Sequence, residues 1–136
     1  MPPYRRPTPQ QGFTLIELMI AVAIVALLSL AAAPGFQAYV RAGHRAEGMV
    51  QLTRIAHQLE RFYADRNTYQ GFNAATLPMT TAGGHYRIAL TIGSATAFTL
   101  TATAQNNQVH DRKQGVSCAT LTLDATGAAT PAACWR

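Results

Sequence analysis

Apolar residues are concentrated in one nearly unbroken run from Phe13 to Ala33, and the remainder of the chain is more polar. As a helix rising ~1.5 Å per residue, this run extends over about 32 Å, close to the ~30 Å hydrocarbon core of a bilayer. The run carries one charge, Glu17, and is followed by Pro34. The pattern predicts a helix over residues 13–34 that spans a membrane or serves as an assembly surface.

A cleaved secretory signal is the simpler alternative, because a basic leader with Arg5 and Arg6 precedes the apolar run. Three features disfavour it. Glu17 lies near the start of the run, and the run exceeds the ~7–15 residues of a signal-peptide core. In addition, Pro34 directly follows the cleavage candidate Ala31-x-Ala33 and would present a poor backbone to a protease.

Over residues 35–66 the apolar positions recur every three or four residues, which predicts an amphipathic helix. Pro34-Gly35 either ends the first helix or kinks it, and the continuing pattern favours a kink. We expect these residues on the core side: Phe36, Tyr39, Val40, Gly43, Ala46, Met49, Val50, Thr53, Ala56, Leu59, Phe62 and Tyr63. We expect these on the polar side: Gln37, Arg41, His44, Arg45, Gln51, Arg54, His57, Gln58 and Arg61.

Residues 67–136 contain segments in which apolar and polar positions alternate with period two, the pattern of half-buried strands. We predict strands over His85–Ile92, Thr96–Ala104 and Ala119–Asp124, with a turn at Gly93-Ser94. A sheet this small cannot bury its apolar face alone, so the amphipathic helix must cover it. The predicted fold class is α+β, a long N-terminal helix packed on an antiparallel sheet of three to four strands.

Charge and cysteine content add two points. The formal net charge is +5, and removal of residues 1–12 with Arg5 and Arg6 leaves nine basic against six acidic residues, a mild excess that does not require nucleic acid. The two cysteines, Cys118 and Cys134, are an even count that predicts one disulfide in an exported domain.

The sequence Gly12-Phe13-Thr14-Leu15-Ile16-Glu17 resembles the prepilin motif of type IV pilins, and all of it is present here. The resemblance implies that a prepilin peptidase cleaves between Gly12 and Phe13 and N-methylates Phe13, so that residues 1–12 form the leader. It also implies the type IV pilin fold. No cofactor is expected.

The same resemblance assigns roles within the helix. Glu17, whose charge costs about 2.5–3.5 kcal/mol inside a bilayer, would pair with the terminal amine of a neighbouring subunit during assembly. An interfacial glutamate without a role is the alternative. Pro34-Gly35 would be the point where the helix softens when it is packed in a filament.

The C-terminal region carries a weaker resemblance to PilE-type minor pilins, through Leu-Thr-Leu-Asp-x-Thr-Gly at residues 121–127 and the final Cys134-Trp135. In that family a disulfide bounds an exposed, variable region. The bond between Cys118 and Cys134 would close a loop of about 16 residues and contribute roughly 3 kcal/mol to stability.

Catalytic chemistry is not predicted, because the sequence lacks a Gly-rich phosphate loop, paired carboxylates and a metal-ligand cluster. His44 and His57 are expected to be solvated on the polar helix face. The one charge cluster, His110-Asp111-Arg112-Lys113, would be a solvated loop or, through Arg112 and Lys113, a site of DNA phosphate contacts. No interleaved aromatic residue offers base stacking there.

These observations favour a minor pilin that is inserted into, or primes, a type IV pilus for motility, adhesion or DNA uptake. The alternatives are a type II secretion pseudopilin and a pilin-like DNA receptor. The pseudopilin is disfavoured because only Asp111 and Asp124 follow residue 66, too few carboxylates for a calcium loop. Expected partners are other pilin subunits, the prepilin peptidase, the inner membrane, and DNA or a surface ligand. We expect a single-pass inner-membrane protein with a periplasmic domain that later enters an extracellular filament.

Overall fold

The computed structural model describes residues 12–136, with the backbone alone at residues 32–34. Residues 1–11 of the predicted leader therefore lie outside the described part of the chain. The chain divides into two compact units, Met1–Phe36 and Gln37–Arg136. The elements are helix α1 (Leu15–Arg66), strands β1 (Tyr86–Ser94), β2 (Ala97–Ala104), β3 (Arg112–Lys113), β4 (Val116–Ser117), β5 (Thr120–Asp124) and β6 (Ala129–Thr130), helix α2 (Ala132–Trp135), and two 3-10 turns, Ala74–Thr76 and Asn106–His110.

The described part of the first unit leaves its apolar side chains uncovered. Every large apolar residue from Phe13 to Leu30 is exposed. Within residues 12–136, no single helix passes a length and hydropathy test for crossing a membrane, whereas the consecutive pieces Leu15–Ala31 and Gly35–Arg66 pass it together on length and composition.

In the second unit, α1 covers the sheet with a stripe that differs from the predicted one. Leu52, Ile55 and Leu59 are completely buried, and of these only Leu59 was on the predicted core side. By contrast, Tyr39 and Val50 are 80% and 65% exposed. The predicted phase is wrong because this part of the helix has apolar residues on most of its circumference, so the sheet and not the local pattern selects the buried side.

The sheet confirms the three predicted strands and adds a fourth. The predicted turn at Gly93-Ser94 is wrong, because β1 continues through both residues and the chain turns at residues 95–96. Its order is β1-β2-β5-β6, and every neighbouring pair is antiparallel. The predicted inward residues are buried or half-buried on one face: Tyr86, Ile88, Leu90, Ile92, Phe98, Leu100, Ala102, Ala104, Leu121 and Leu123. The fold class is the α+β arrangement that the alternation predicted.

Gly48 lets the helix approach this sheet closely. A Cβ atom at position 48 would lie 3.1 Å from the ring of Tyr86, which is itself completely buried. A larger residue at this position would push the ring away from the helix, so Gly48 sets the spacing between α1 and β1.

The end of α1 confirms the prediction of a helix that finishes near residue 66. Asn67 adopts a positive φ of 52°, and its amide donates to the carbonyl of Tyr63 at 2.7 Å, a C-terminal cap in the left-handed conformation. Tyr69 then folds back, and its hydroxyl donates to Oε1 of Glu60 at 2.7 Å. Burial and then this hydrogen bond raise the pKa of Tyr69 to about 12.

The C-terminal segment is held by a disulfide between Cys118 and Cys134, both completely buried. The bond joins α2 to the chain just before β5. It closes a loop with a sequence separation of 16 residues, in the size range where a disulfide contributes about 3 kcal/mol by restricting the unfolded chain.

Replacing both cysteines, Cys118→Ala with Cys134→Ala, is expected to lower the free energy of unfolding by about 3 kcal/mol. Urea denaturation of the full chain in detergent, followed by circular dichroism, measures the change. Ser117→Ala serves as the control at an exposed neighbouring position. An unchanged midpoint in the double variant would contradict the prediction.

Candidate functional site

The N-terminal residues of the prepilin-like motif begin helix α1. Gly12 and Phe13 precede the helix, and Phe13 is 87% exposed. Oγ1 of Thr14 accepts a hydrogen bond from the amide of Glu17 at 3.3 Å. The spacing Thr-x-x-Glu is that of a capping box, in which the threonine caps the helix and the glutamate occupies its third position. The sequence contained this signal, but the capping role of Thr14 was not predicted.

Glu17 lies in the first turn of α1 and is exposed. A carboxylate there interacts favourably with the positive end of the helix dipole. Because Glu17 is exposed, its side chain is also accessible to a cation from another molecule. Gly35 is also exposed, whereas Pro34 is one of the residues whose side chains lie outside the described part.

A second candidate region centres on an ion pair between Arg45 of α1 and Asp111, which lies between β2 and β3. The guanidinium Nη1 lies 2.8 and 2.7 Å from the two carboxylate oxygens of Asp111. The side chains are 8% and 3% exposed. Both residues were predicted to be solvated, Arg45 on the polar helix side and Asp111 in an open loop. Those predictions are wrong because each charge supplies the partner that allows the other to be buried.

Polar side chains continue this contact towards the sheet. Nε2 of Gln108 donates to the carbonyl of Arg41 at 2.9 Å and to the hydroxyl of Tyr86 at 3.1 Å. The Tyr86 hydroxyl donates in turn to the carbonyl of Cys118 at 3.1 Å. Burial raises the pKa of Tyr86, so the phenol stays protonated and can donate. The network ties the segment before β3 to both α1 and the disulfide.

His44 belongs to the same region. Its ring stacks on that of His85, with 3.4 Å between the ring centroids, and its Nδ1 lies 3.3 Å from Oε1 of Gln108. The side chain is half-buried, so the prediction of a solvated histidine is wrong. His57, in contrast, is exposed as predicted.

Strands β3 and β4 form a small hairpin that presents Arg112 and Lys113. They pair antiparallel through Gln114 and Gly115, whose φ angles are 51° and 79°, the positive values that a tight two-residue hairpin turn requires. Arg112 is exposed and Lys113 half-buried. Because Asp111 directly precedes Arg112, the buried ion pair fixes the base of this cationic hairpin.

Metal chemistry gains no support from the part of the chain that the structure describes. No group of three His, Cys, Asp or Glu side chains there could hold a metal ion. The expected lack of a metal, a cofactor and an activity remains a prediction.

Comparison with known families covers most of the chain. Residues 34–122 match the family described as type IV minor pilin ComP, DNA uptake sequence receptor. The chain belongs to this type IV minor pilin family. Residues 8–33 match the prokaryotic N-terminal methylation motif, in agreement with the resemblance drawn from Gly12 to Glu17.

Curated relatives of the minor pilin are fimbrial subunits. Fimbrial protein EcpC of Eikenella corrodens is 33% identical over 118 residues, which cover 86% of this chain and 75% of EcpC. Type IV major pilin protein PilE1 of Neisseria gonorrhoeae is 29% identical, covering 78% of this chain and 67% of PilE1. Both relatives are described as fimbrial or pilin proteins.

Solved structures agree on the fold of the minor pilin. A type IV pilin from Shewanella oneidensis is 28% identical with a TM-score of 0.56, and the match covers 71% of this chain and 98% of that one. The minor pilin PilV from Neisseria meningitidis is 24% identical with a TM-score of 0.53, over 68% of this chain and 86% of PilV. The type IV pilin fold is thereby confirmed.

These findings establish a minor pilin of a type IV pilus, which associates with other pilin subunits in the filament. The methylation motif implies anchoring in the inner membrane before the subunit joins the pilus.

Proposed function

We propose that this minor pilin binds DNA at the surface of the pilus and serves DNA uptake, rather than motility or adhesion. The observation that carries the proposal is the cationic hairpin of Arg112 and Lys113, fixed to α1 by the buried ion pair of Arg45 and Asp111. The family that matches residues 34–122 is described as a DNA uptake sequence receptor, which supports the same function.

The physical argument rests on preorganisation. A cation that is held in place loses less conformational entropy when it meets a phosphate than one on a free loop. The hairpin is held from two sides, because Asp111 bonds to Arg45 and the amide of Cys118 donates to the carbonyl of Asp111 at 2.9 Å. Lys113 also contacts the carbonyl of Arg136, which brings a third cationic residue to this end of the domain.

A gel-shift experiment with the full mature chain in detergent, at low and moderate salt, tests the proposal. Duplex DNA is expected to bind, and the double variant Arg112→Gln with Lys113→Gln is expected to reduce the slope of log affinity against log salt by about 2, since each phosphate contact contributes ~0.9. Arg87→Gln is the matched control, because Arg87 is an exposed cation on β1. Absence of binding at low salt would end the proposal.

The proposal includes the processing and assembly roles of the N-terminal segment. Prepilin peptidase cleaves after Gly12 and methylates Phe13, and the domain after residue 36 lies in the periplasm. Glu17 pairs with the terminal amine of a neighbouring subunit, and Pro34-Gly35 softens the helix in the filament. Exposure of Phe13 and Glu17 supports these roles. The function is structural and ligand-binding, without catalysis.

A further inference from the structure

A surface groove runs along α1 beside Trp135, and neither Arg112 nor Lys113 of the cationic hairpin lines it. Its volume is about 620 Å³, and the residues that matter for recognition are Met49, Val50, Arg54, His57, Arg61 and Trp135. Met49 and Val50 form an apolar floor at one end. Arg54, His57 and Arg61 follow at helical spacing on the exposed side.

The lining of the groove is cationic. None of its lining residues is acidic. Within the described residues 12–136 the ion pair of Arg45 and Asp111 is the sole salt bridge, so Arg54 and Arg61 have no carboxylate partner there. The two arginines are seven positions apart in the sequence, or about 10.5 Å along the helix. That distance corresponds to about three stacked nucleotides of one strand at ~3.4 Å each.

Trp135 supplies a fixed aromatic wall. Its Nε1 donates to the carbonyl of Thr130 at 3.2 Å, and the preceding residue, Cys134, is held by the disulfide. The side chain is half-buried, so part of the ring packs on the domain and part lines the groove. A ring held in this way can accept a stacked base without losing much rotational freedom.

We propose that this groove binds single-stranded DNA, with phosphates at Arg54 and Arg61 and an unpaired base against Trp135. The inference rests on the proposed DNA-binding function and adds a second contact site to it. A cationic groove combined with an aromatic side chain is the arrangement that binds single strands with little sequence preference. A duplex would not occupy it equally well, because its bases are stacked on one another and their faces are hidden. A neighbouring pilin subunit is the less favoured occupant, since it would have to bring carboxylates for two arginines.

The protein contains one tryptophan, so its intrinsic fluorescence reports directly on the groove. The full mature chain in detergent is titrated with a thymine oligonucleotide of about 16 nucleotides, the upper end of the usual single-strand site size. We expect quenching of Trp135 by the oligonucleotide and much weaker quenching by duplex DNA of the same length. Trp135→Ala, followed by fluorescence anisotropy of a labelled oligonucleotide, is expected to weaken binding about 5- to 150-fold, while Trp135→Phe retains most of the affinity.

Arg54→Gln with Arg61→Gln provides the second variant, and its fold should be intact because both side chains are exposed. It is expected to weaken binding of the single strand and to flatten its salt dependence, whereas Arg87→Gln changes neither. Unchanged single-strand affinity in the groove variants would overturn the inference, even if the hairpin variants of Arg112 and Lys113 lose duplex binding as proposed. Loss of filament incorporation with unchanged DNA affinity would also overturn it and would assign the groove to subunit packing.

Discussion

Arg45→Met is expected to lower the free energy of unfolding by about 3–5 kcal/mol. The substitution leaves the Asp111 side chain, 3% exposed, buried without its cation, and an unpaired buried charge is among the most destabilising changes in a protein interior. Chemical denaturation of the full chain in detergent measures the loss. We also expect weaker duplex binding, because Asp111 no longer fixes the base of the Arg112 and Lys113 hairpin.

Two comparisons isolate the cause. Arg45→Met combined with Asp111→Leu removes both charges, and its stability should return to within about 1 kcal/mol of the native chain or exceed it, since apolar replacements of buried ion pairs are often neutral or stabilising. Arg87→Met removes an exposed arginine and should change stability by less than about 0.5 kcal/mol. Equal losses in Arg45→Met and in the double variant would mean that the ion pair itself is not the source of the effect.

Gly12→Val is expected to abolish processing and incorporation into pili. The proposed cleavage lies between Gly12 and Phe13, so the variant should keep its leader and remain in the membrane fraction. The fold gives no reason for a separate defect, because a Cβ atom at position 12 has no neighbour within 4 Å. Immunoblotting of sheared filaments and of membranes measures incorporation into pili. Mass spectrometry of the membrane-bound protein shows whether the leader is retained.

Gln11→Val is the matched control, because it changes the adjacent leader residue and leaves the glycine in place. It should be processed and assembled like the native chain. Normal amounts of Gly12→Val in sheared filaments would refute the assignment of Gly12 as the processing site. They would also refute the interpretation of residues 12–17 as a prepilin cleavage motif.

The two proposed DNA contacts lie on parts of the domain that the same bonds stabilise. The disulfide of Cys118 and Cys134 holds α2, which carries Trp135, and α2 contacts β3 and β4 of the cationic hairpin. Loss of the disulfide should therefore weaken both duplex and single-strand binding. Variants of Arg54 and Arg61, whose side chains are exposed, should affect single-strand binding alone.

The sequence by itself determined the features whose signals are local. The motif from Gly12 to Glu17 and the apolar run after it are contiguous, and the strands follow from an alternation that each segment carries within itself. It could not determine which side of α1 is buried, because apolar residues occur around most of the helix and Leu52 and Ile55 compete with Tyr39 and Val50. Only the sheet, by packing against one side, decided between them.

Tertiary structure also decided which charged side chains are buried. Arg45 and Asp111 are 66 residues apart, and a local pattern places each of them in water because an isolated charge is costly to bury. Their mutual contact removes that cost, and no local pattern records a contact across such a separation. The groove beside Trp135 also depends on tertiary structure, because its lining combines Trp135 of α2 with residues of α1 that are far away in the sequence.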